Sequence, residues 1–537
     1  MTEILDYRSP WEPGWRNAAW SKIGQPWDIL IVGGGIVGAG LLNAAARRGL
    51  AALLLEQNDF ASGASGRTSR LVHGGLRYLK RMQFQVTRRC VRERQALLQS
   101  APGLVEPLDF IYPSYGSDTT RPWMIRLGLA LYTRMAAGAG SFRELKPSRL
   151  LEEVPGLASD GLTGGFLFQD AQTDDARLVL RVLHDGLRVS KGRCAALNYA
   201  CVRGLLFQGG RVAGVDVQDV ESGRTREASA AVVINATGAW VDRLRMETGA
   251  KPGFRPLRGS HLFFPRQRLP VSQAVMFEHP QDGRPIFVIP WEGITQVGTT
   301  DVDHALSMDD EPAASGPEGE YLLRAVQVRF PEMNLSRESV QAAQAGVRCV
   351  VGTGKADPSA ESREHAVLEE RGLLTVAGGK LTTFGLMAAQ TLQQARRLHP
   401  RIPPETDVPL FEPIGPDRNL PGIDQPMGRR LWGRYGRAAA PLVENFPHLL
   451  HPIEGTPYLW AELAWAARSE AVAHVEDLFL RRLRLGLLLE DGGRKLLPQA
   501  KEFLCGALQW DEARWTMEIE RYLRVWRRGC GTPWSCP

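Results

Sequence analysis

Three glycines in GxGxxG spacing, Gly33, Gly35 and Gly38, follow the apolar run Ile29 to Val32, and an acid, Glu56, closes a second apolar run from Ala51 to Leu55. Residues of these types in this pattern bind a dinucleotide. Gly33 permits the tight turn after the strand, Gly35 lets the backbone approach a pyrophosphate, and Gly38 lets helix and strand pack closely. The small-residue segment Ala39 to Arg48 reads as the helix whose positive N-terminus holds the phosphates. Glu56 is placed to accept a hydrogen bond from a ribose hydroxyl, where a neutral or basic residue would favour a 2′-phosphate. Residues 28 to 56 therefore form a complete βαβ unit, and a flavin or nicotinamide dinucleotide is expected on it.

Three later segments narrow that choice. Residues 58 to 70, NDFASGASGRTSR, are small and polar, fit for a loop wrapped round a cofactor, with Thr68 and Ser69 among its contacts. The strand VVINATGAW brings Gly238 to its tip, suited to a second approach near the pyrophosphate. The run GLLTVAGGKLTTFGLMAAQTLQQA reads as strand, Gly378 and Gly379, then a helix whose N-terminus can aim amide donors and positive dipole at a flavin pyrimidine carbonyl. FAD is long enough to need such repeated contacts, and a nicotinamide site would not.

The elements that must position these residues follow from length and composition. A chain of 537 residues is too long for one core and implies two or three domains, and 44% apolar with 23% charged residues is ordinary for a globular protein. No run of 18 or more apolar residues is present, so no spanning helix is expected, and the N-terminus lacks the pattern of a secretory signal. A cytoplasmic location is expected. Seven scattered cysteines without CxxC or zinc spacing read as reduced thiols, and no metal is expected. The net charge of +6 suits an anionic partner, either a phosphorylated substrate or an acidic membrane surface. Nucleic acid is not expected, because basic residues are spread out and no recognisable nucleic-acid module accompanies them.

Residues 1 to 26 form an extension rich in tryptophan (Trp11, Trp15, Trp20), expected to pack over the body of the protein or on a partner. Residues 81 to 100 and 122 to 136 read as helices, the second amphipathic with Trp123, Leu127, Leu131 and Tyr132, facing either the core or a membrane. Asp174 and Asp175 precede a helical run and suit a helix start, not a catalytic pair. Eight prolines between Pro400 and Pro426 mark a linker at 401 to 426, and residues 427 to 537 read as helical. Within them LFLRRLRLGLLL (478 to 489) reads as a buried helix, with membrane contact as the alternative.

Read together and in order, HGGLRYL (73 to 79), INATGAW (234 to 240), RGSH (258 to 261), FVIPW (287 to 291), VGTTDVD (297 to 303), AGVR (345 to 348) and AGGKLTT (377 to 383) resemble the FAD-dependent, aerobic glycerol-3-phosphate dehydrogenases from about residue 27 to 400. The resemblance implies an α/β fold: an FAD-binding Rossmann-like domain of the amine and amino-acid oxidase class (about 27 to 100, 170 to 250 and 341 to 400). It also implies an inserted antiparallel-sheet substrate domain (101 to 169 and 251 to 340) and a helical C-terminal domain. It implies oxidation of sn-glycerol 3-phosphate to dihydroxyacetone phosphate by hydride transfer to flavin N5. Electrons would pass to a membrane quinone from a peripheral protein on the cytoplasmic face of the inner membrane; a homodimer is a further expectation. The rival readings are a soluble FAD oxidase of another alcohol or amino acid using oxygen and a non-catalytic flavin-binding sensor.

That chemistry needs cations for the phosphate and a base for the hydroxyl proton. Arg348 and Arg77 are first choices for the phosphate, with Tyr78 beside Arg77 and Arg363 as a further anion ligand. His261 is favoured for the substrate oxygen and His73 for a place near the flavin, with Lys380 as another group able to polarise the oxygen. Gly75, Leu76, Gly379, Leu381 and Thr382 complete the expected cofactor contacts. The chain departs from the family pattern in two places: KLTTYR is usual where Phe384 and Gly385 follow Thr383, and a proline is usual where Cys349 follows Arg348.

Overall fold

The computed structural model describes residues 7–76, 84–135, 141–352, 354, 361, 364–405, 409–412 and 419–534. Arg77, Tyr78 and Arg363 lie outside the described residues.

The first sheet is built on β1 (Trp27–Val32), flanked in parallel by β2 (Ala52–Leu55) and β9 (Thr225–Asn235). β6 (Ala195–Leu197) extends it beyond β2, β17 (Leu373–Gly378) extends it beyond β9, and β16 (His365–Glu370) closes that edge antiparallel. Strands covered on both faces must be apolar, and β1 beyond Asp28 and the whole of β2 are. Helix Ile36–Arg47 covers one face with helix Asp175–Val189, so close that a Cβ on Gly186 would lie 2.8 Å from the Asn43 Cα. The other face is covered by the hairpin of β7 (Ala200–Gln208) and β8 (Arg211–Asp219), together with Trp20 and Ile23. The tryptophan-rich extension thus packs on the body of the protein, with Trp11 stacked against Phe60.

The second sheet runs β14 (Val302–Asp303), β10 (Phe254–Pro265), β13 (Ile294–Gly298), β12 (Pro285–Trp291), β11 (Ala274–Glu278), β3 (Val105–Tyr115), β5 (Leu162–Thr173) and β4 (Arg143–Leu145). It is antiparallel except where β11 meets β3. β15 (Ala342–Val351) also joins it, pairing with β10 from Phe254 to Phe263. This sheet therefore takes in residues up to Thr173 and Val351 that sequence reasoning had placed in the nucleotide domain; ten consecutive antiparallel pairs with β10 hold β15 there.

The C-terminal region packs around Tyr458, Phe479 and Tyr522 in an apolar core that it shares with Phe263, Trp291 and Ala342 of the second sheet. The segment 478 to 489 is buried in it, and its arginines turn inward to carboxylates of the nucleotide-binding half. Asp59 receives Arg481 and Arg482, Asp174 receives Arg434 (3.0 Å) and Arg484, Asp175 receives Arg484, and Arg177 reaches back to Glu470 (2.8 Å). Asp174 also caps its helix by accepting from the Arg177 N–H, the role the sequence assigned to it. Burial alone would raise the Asp174 carboxyl, but Arg484 and Arg434 hold it well below the ordinary range. A buried carboxylate is tolerable only with such partners.

Candidate functional site

Between the two sheets lies a cavity of about 1150 Å³. One end is the glycine turn. Gly33 has φ +113°, a conformation that favours glycine, and a Cβ on it would lie 2.5 Å from the Ala236 carbonyl oxygen. A Cβ on Gly38 would lie 1.9 Å from the Gly33 carbonyl oxygen, so helix Ile36–Arg47 can approach β1 this closely only with glycine there. Gly35 is the looser position, meeting only Ser65, whose hydroxyl accepts from the Ile36 N–H at 2.9 Å. The Glu56 carboxylate accepts from the Gly34 N–H (2.6 Å) and the Asn58 N–H (2.9 Å) at the rim. Burial raises this carboxyl against the pull of those two donors. A turn that a single methyl group would fill, opening on a helix N-terminus, fits the pyrophosphate of FAD.

The other expected cofactor residues fall along the same wall: Gly35, Thr68, Ser69, Gly75, Leu76, Gly238, Gly379, Leu381 and Thr382. Gly38 stands behind it, as its packing task requires. The loop 58 to 70 is held from beneath, because the Thr68 N–H and hydroxyl both donate to Asp175 Oδ2 at 2.8 Å and Arg484 donates to the Gly66 carbonyl at 2.9 Å. Asp175 and Arg484 were not singled out as site residues from sequence; nothing in local spacing connects them to a loop 107 or 418 positions away.

Toward the centre the wall carries His73, Lys380 and Arg348. Lys380 Nζ lies 3.2 Å from Cys90 Sγ, and the Thr382 hydroxyl donates to the His73 carbonyl at 3.4 Å, which ties the HGG loop to the AGGKLTT turn. Arg348 projects from β15 opposite Leu257, and its guanidinium donates to Asp301 Oδ1 at 2.6 Å. Two further charged residues here, Arg284 and Asp301, were missed from sequence. Asp301 stood inside a recognised motif, VGTTDVD, and Arg284 just ahead of the strand PIFVIPW.

His261 needs correction as the group at the substrate oxygen. It sits in β10, 3% exposed, behind Ser69 and off the cavity wall, with Nε2 2.9 Å from the Ser69 hydroxyl. Among the described residues its Nδ1 has no hydrogen-bond partner. Burial, with Arg70 and Arg348 nearby, pushes its pKa down to about 3, so the ring is neutral throughout the physiological range. Arg70 is itself fully buried, lying 4.1 Å over Trp291 and donating to Gln296 (2.6 Å) and Gln344 (3.1 Å).

The far end of the cavity is apolar. Phe110, Phe168 and Phe287 pack together inside, and helix Pro122–Met135 closes the mouth, with Trp123 64% and Leu127 54% exposed. No helix of the described residues is long and apolar enough to cross a membrane. Two of the residues that depart from the family pattern are buried. Phe384 is buried against helix Ile36–Arg47, where a Cβ on Gly40 would meet its ring at 2.8 Å. Cys349 is buried with Val241 and Ala377, and burial pushes its thiol up to about 11.

A cavity that unites a dinucleotide turn with a cationic centre can hold FAD against a small anionic substrate, and comparison with known proteins agrees. Residues 28–395 match the model of the FAD dependent oxidoreductase family, and residues 375–515 match that of the C-terminal domain of alpha-glycerophosphate oxidase. The chain is 34% identical over 541 residues to glycerol-3-phosphate dehydrogenase 2 of Mycobacterium tuberculosis, covering 95% of this chain and 90% of that one. It is 31% identical over 523 residues to the aerobic glycerol-3-phosphate dehydrogenase of Bacillus subtilis, covering 91% and 92%. Its structure is similar to that of the glycerol-3-phosphate dehydrogenase from Bacillus halodurans complexed with FAD, with a TM-score of 0.76, 27% identity and coverage of 97% and 99%. With a matching turn, cavity, C-terminal domain and near full-length relatives, the chain belongs to the FAD-dependent glycerol-3-phosphate dehydrogenase family.

Proposed function

We propose that the chain oxidises sn-glycerol 3-phosphate to dihydroxyacetone phosphate and passes the electrons to a membrane quinone. The observation that carries the reading is the single cavity, in which the glycine turn, a cationic group around Arg348 and an apolar mouth follow one another. Bound FAD supplies the two-electron acceptor. The chain's own residues do the rest. Arg348 offers guanidinium donors to the phosphate, with Arg77, Tyr78 and Arg363 proposed as further ligands, and so fixes where the secondary carbon lies. Lys380 and His73 face the same space and are the groups proposed to polarise the hydroxyl and receive its proton. His261, neutral and behind the wall, acts by holding the Ser69 hydroxyl.

The exposed apolar side of helix Pro122–Met135, next to the cavity mouth, supports attachment to a lipid surface without a spanning segment, and the net charge of +6 favours an anionic leaflet. The test is anaerobic addition of glycerol 3-phosphate to the purified yellow protein, with flavin absorbance as the readout. Bleaching, followed by faster reoxidation by a quinone analogue than by oxygen, is expected. Stoichiometric peroxide with full recovery in the soluble fraction would instead favour an oxidase.

A further inference from the structure

The cationic centre contains a feature that phosphate binding by Arg348 alone does not explain. Asp301, whose side chain is 3% exposed, bridges two guanidiniums: Arg348 at Oδ1 (2.6 Å) and Arg284 at Oδ2 (3.4 Å), with Arg284 also donating to the Asp301 carbonyl at 3.3 Å. The three residues come from separate elements, namely β15, the residue before β12, and the turn between β13 and β14, and all three line the cavity. A carboxylate paired with one arginine forms a neutral pair, which offers N–H donors but no net charge to an incoming anion. Within these three residues, a second arginine on the other oxygen leaves one net positive charge. Donor capacity remains as well. Arg348 Nε is buried without a hydrogen-bond partner among the described residues, and Arg284 is 29% exposed on the cavity side with donors beyond those Asp301 uses.

We propose that Arg284 is a specificity-determining residue: by sharing Asp301 with Arg348 it keeps the site cationic, so that a doubly charged phosphomonoester is preferred over a singly charged ester. This deepens the reading of the substrate as glycerol 3-phosphate and rests on it. Arg284 does not touch the reacting carbon; its effect falls on binding of the anion.

The test uses the holoenzyme and four forms: wild type, Arg284→Gln, Arg284→Lys, and Arg284→Gln combined with Asp301→Asn. Flavin content shows that each is folded. Arg284→Gln should raise KM for glycerol 3-phosphate by about tenfold or more while kcat changes by less than about threefold. The preference for glycerol 3-phosphate over glycerol 3-sulfate, a monoanion of the same shape, should fall by a similar factor. Arg284→Lys keeps the charge and should lie between. The decisive form is the double variant: removing the carboxylate releases the charge of Arg348, so KM should return toward wild type. A merely structural arginine would give no such rescue. An unchanged KM in Arg284→Gln, or a double variant no better than the single one, would overturn the proposal. Failure of wild type to bleach with glycerol 3-phosphate would refute the substrate reading instead; the clamp would then be judged by the same variants in titrations of inorganic phosphate against the flavin spectrum.

Discussion

Replacing Arg484 with methionine removes a guanidinium that joins the C-terminal region to the cofactor loop. The side chain donates to Asp174 (3.3 Å), Asp175, the Gly66 carbonyl (2.9 Å) and the Leu480 carbonyl (2.8 Å), and it is fully buried. Methionine fills much of the same space, so the cost is electrostatic. Breaking a buried ion pair from one side costs about 3–5 kcal/mol. Asp174 retains Arg434 but Asp175 loses the ion pair it has among the described residues, so the expected loss stays within that range, about 3–5 kcal/mol. Part of that reaches the flavin, because Asp175 holds Thr68 through two hydrogen bonds and Gly66 loses its donor outright. If the loop 66 to 69 must be reordered when FAD binds, a share of about 1.4 kcal/mol corresponds to tenfold weaker binding. Titrating the deflavinated variant with FAD by fluorescence quenching measures this share, and thermal unfolding measures the whole. Arg484→Lys, which keeps charge without the fork, should recover part of both. An Arg484→Met protein that binds FAD within twofold of wild type and melts at the same temperature would refute the link.

Gly38→Ala should purify almost free of flavin, since its Cβ would lie 1.9 Å from a backbone oxygen; the ratio of flavin to protein absorbance decides. Arg348→Ala should lower kcat/KM for glycerol 3-phosphate by roughly ten- to a hundredfold, matching about 1.5–3 kcal/mol for a charge-assisted bond, and leave any turnover of uncharged glycerol nearly unchanged. His474, where burial is outweighed by Glu221 and Glu518, is pushed up to about 10. Its stabilising contribution is therefore complete below about pH 6.5 and eroded as pH rises through 10, so the Tm gap between wild type and His474→Gln should shrink over that interval. Asp174 has the opposite sign: its contribution is present above the ordinary carboxylate range and lost as pH falls below it, so acid should release the C-terminal region first.

The backbone features of the site were legible because they are local. A GxGxxG turn needs only its own strand and helix to take shape, and the close approaches at Gly33 and Gly38 are those its spacing implies. The strips that line the cavity were legible for the same reason, each being a strand end or turn with its own signature. Depth was not legible. His261 stands in a matched motif, yet whether a β-strand residue faces the cavity or lies beneath a neighbour depends on Ser69, which is 192 positions away. The pattern of 122 to 136 fixed a helix, and left open that it would carry apolar residues on two faces, with Ile125 and Leu129 buried while Trp123 and Leu127, about 200° round the helix, stay exposed. Asp301 and Arg284 acquire meaning only as a pair around a third residue. Spacing along the chain carries no trace of that.

The inward arginines of the C-terminal region also set an order in time. Asp59 leaves the ribosome 422 residues before the Arg481 that neutralises it, an interval of roughly 20–85 s at ~5–20 residues per second. Throughout that interval the nascent nucleotide-binding half carries acids made for burial and no counter-charge to bury them with. Burying them without partners is costly, so full closure of this half is expected to await the arginines. Flavin loading is then expected only after translation has run past the arginines. A chain interrupted in the linker should remain open and colourless, which marks it as unfinished to any protease that samples exposed backbone.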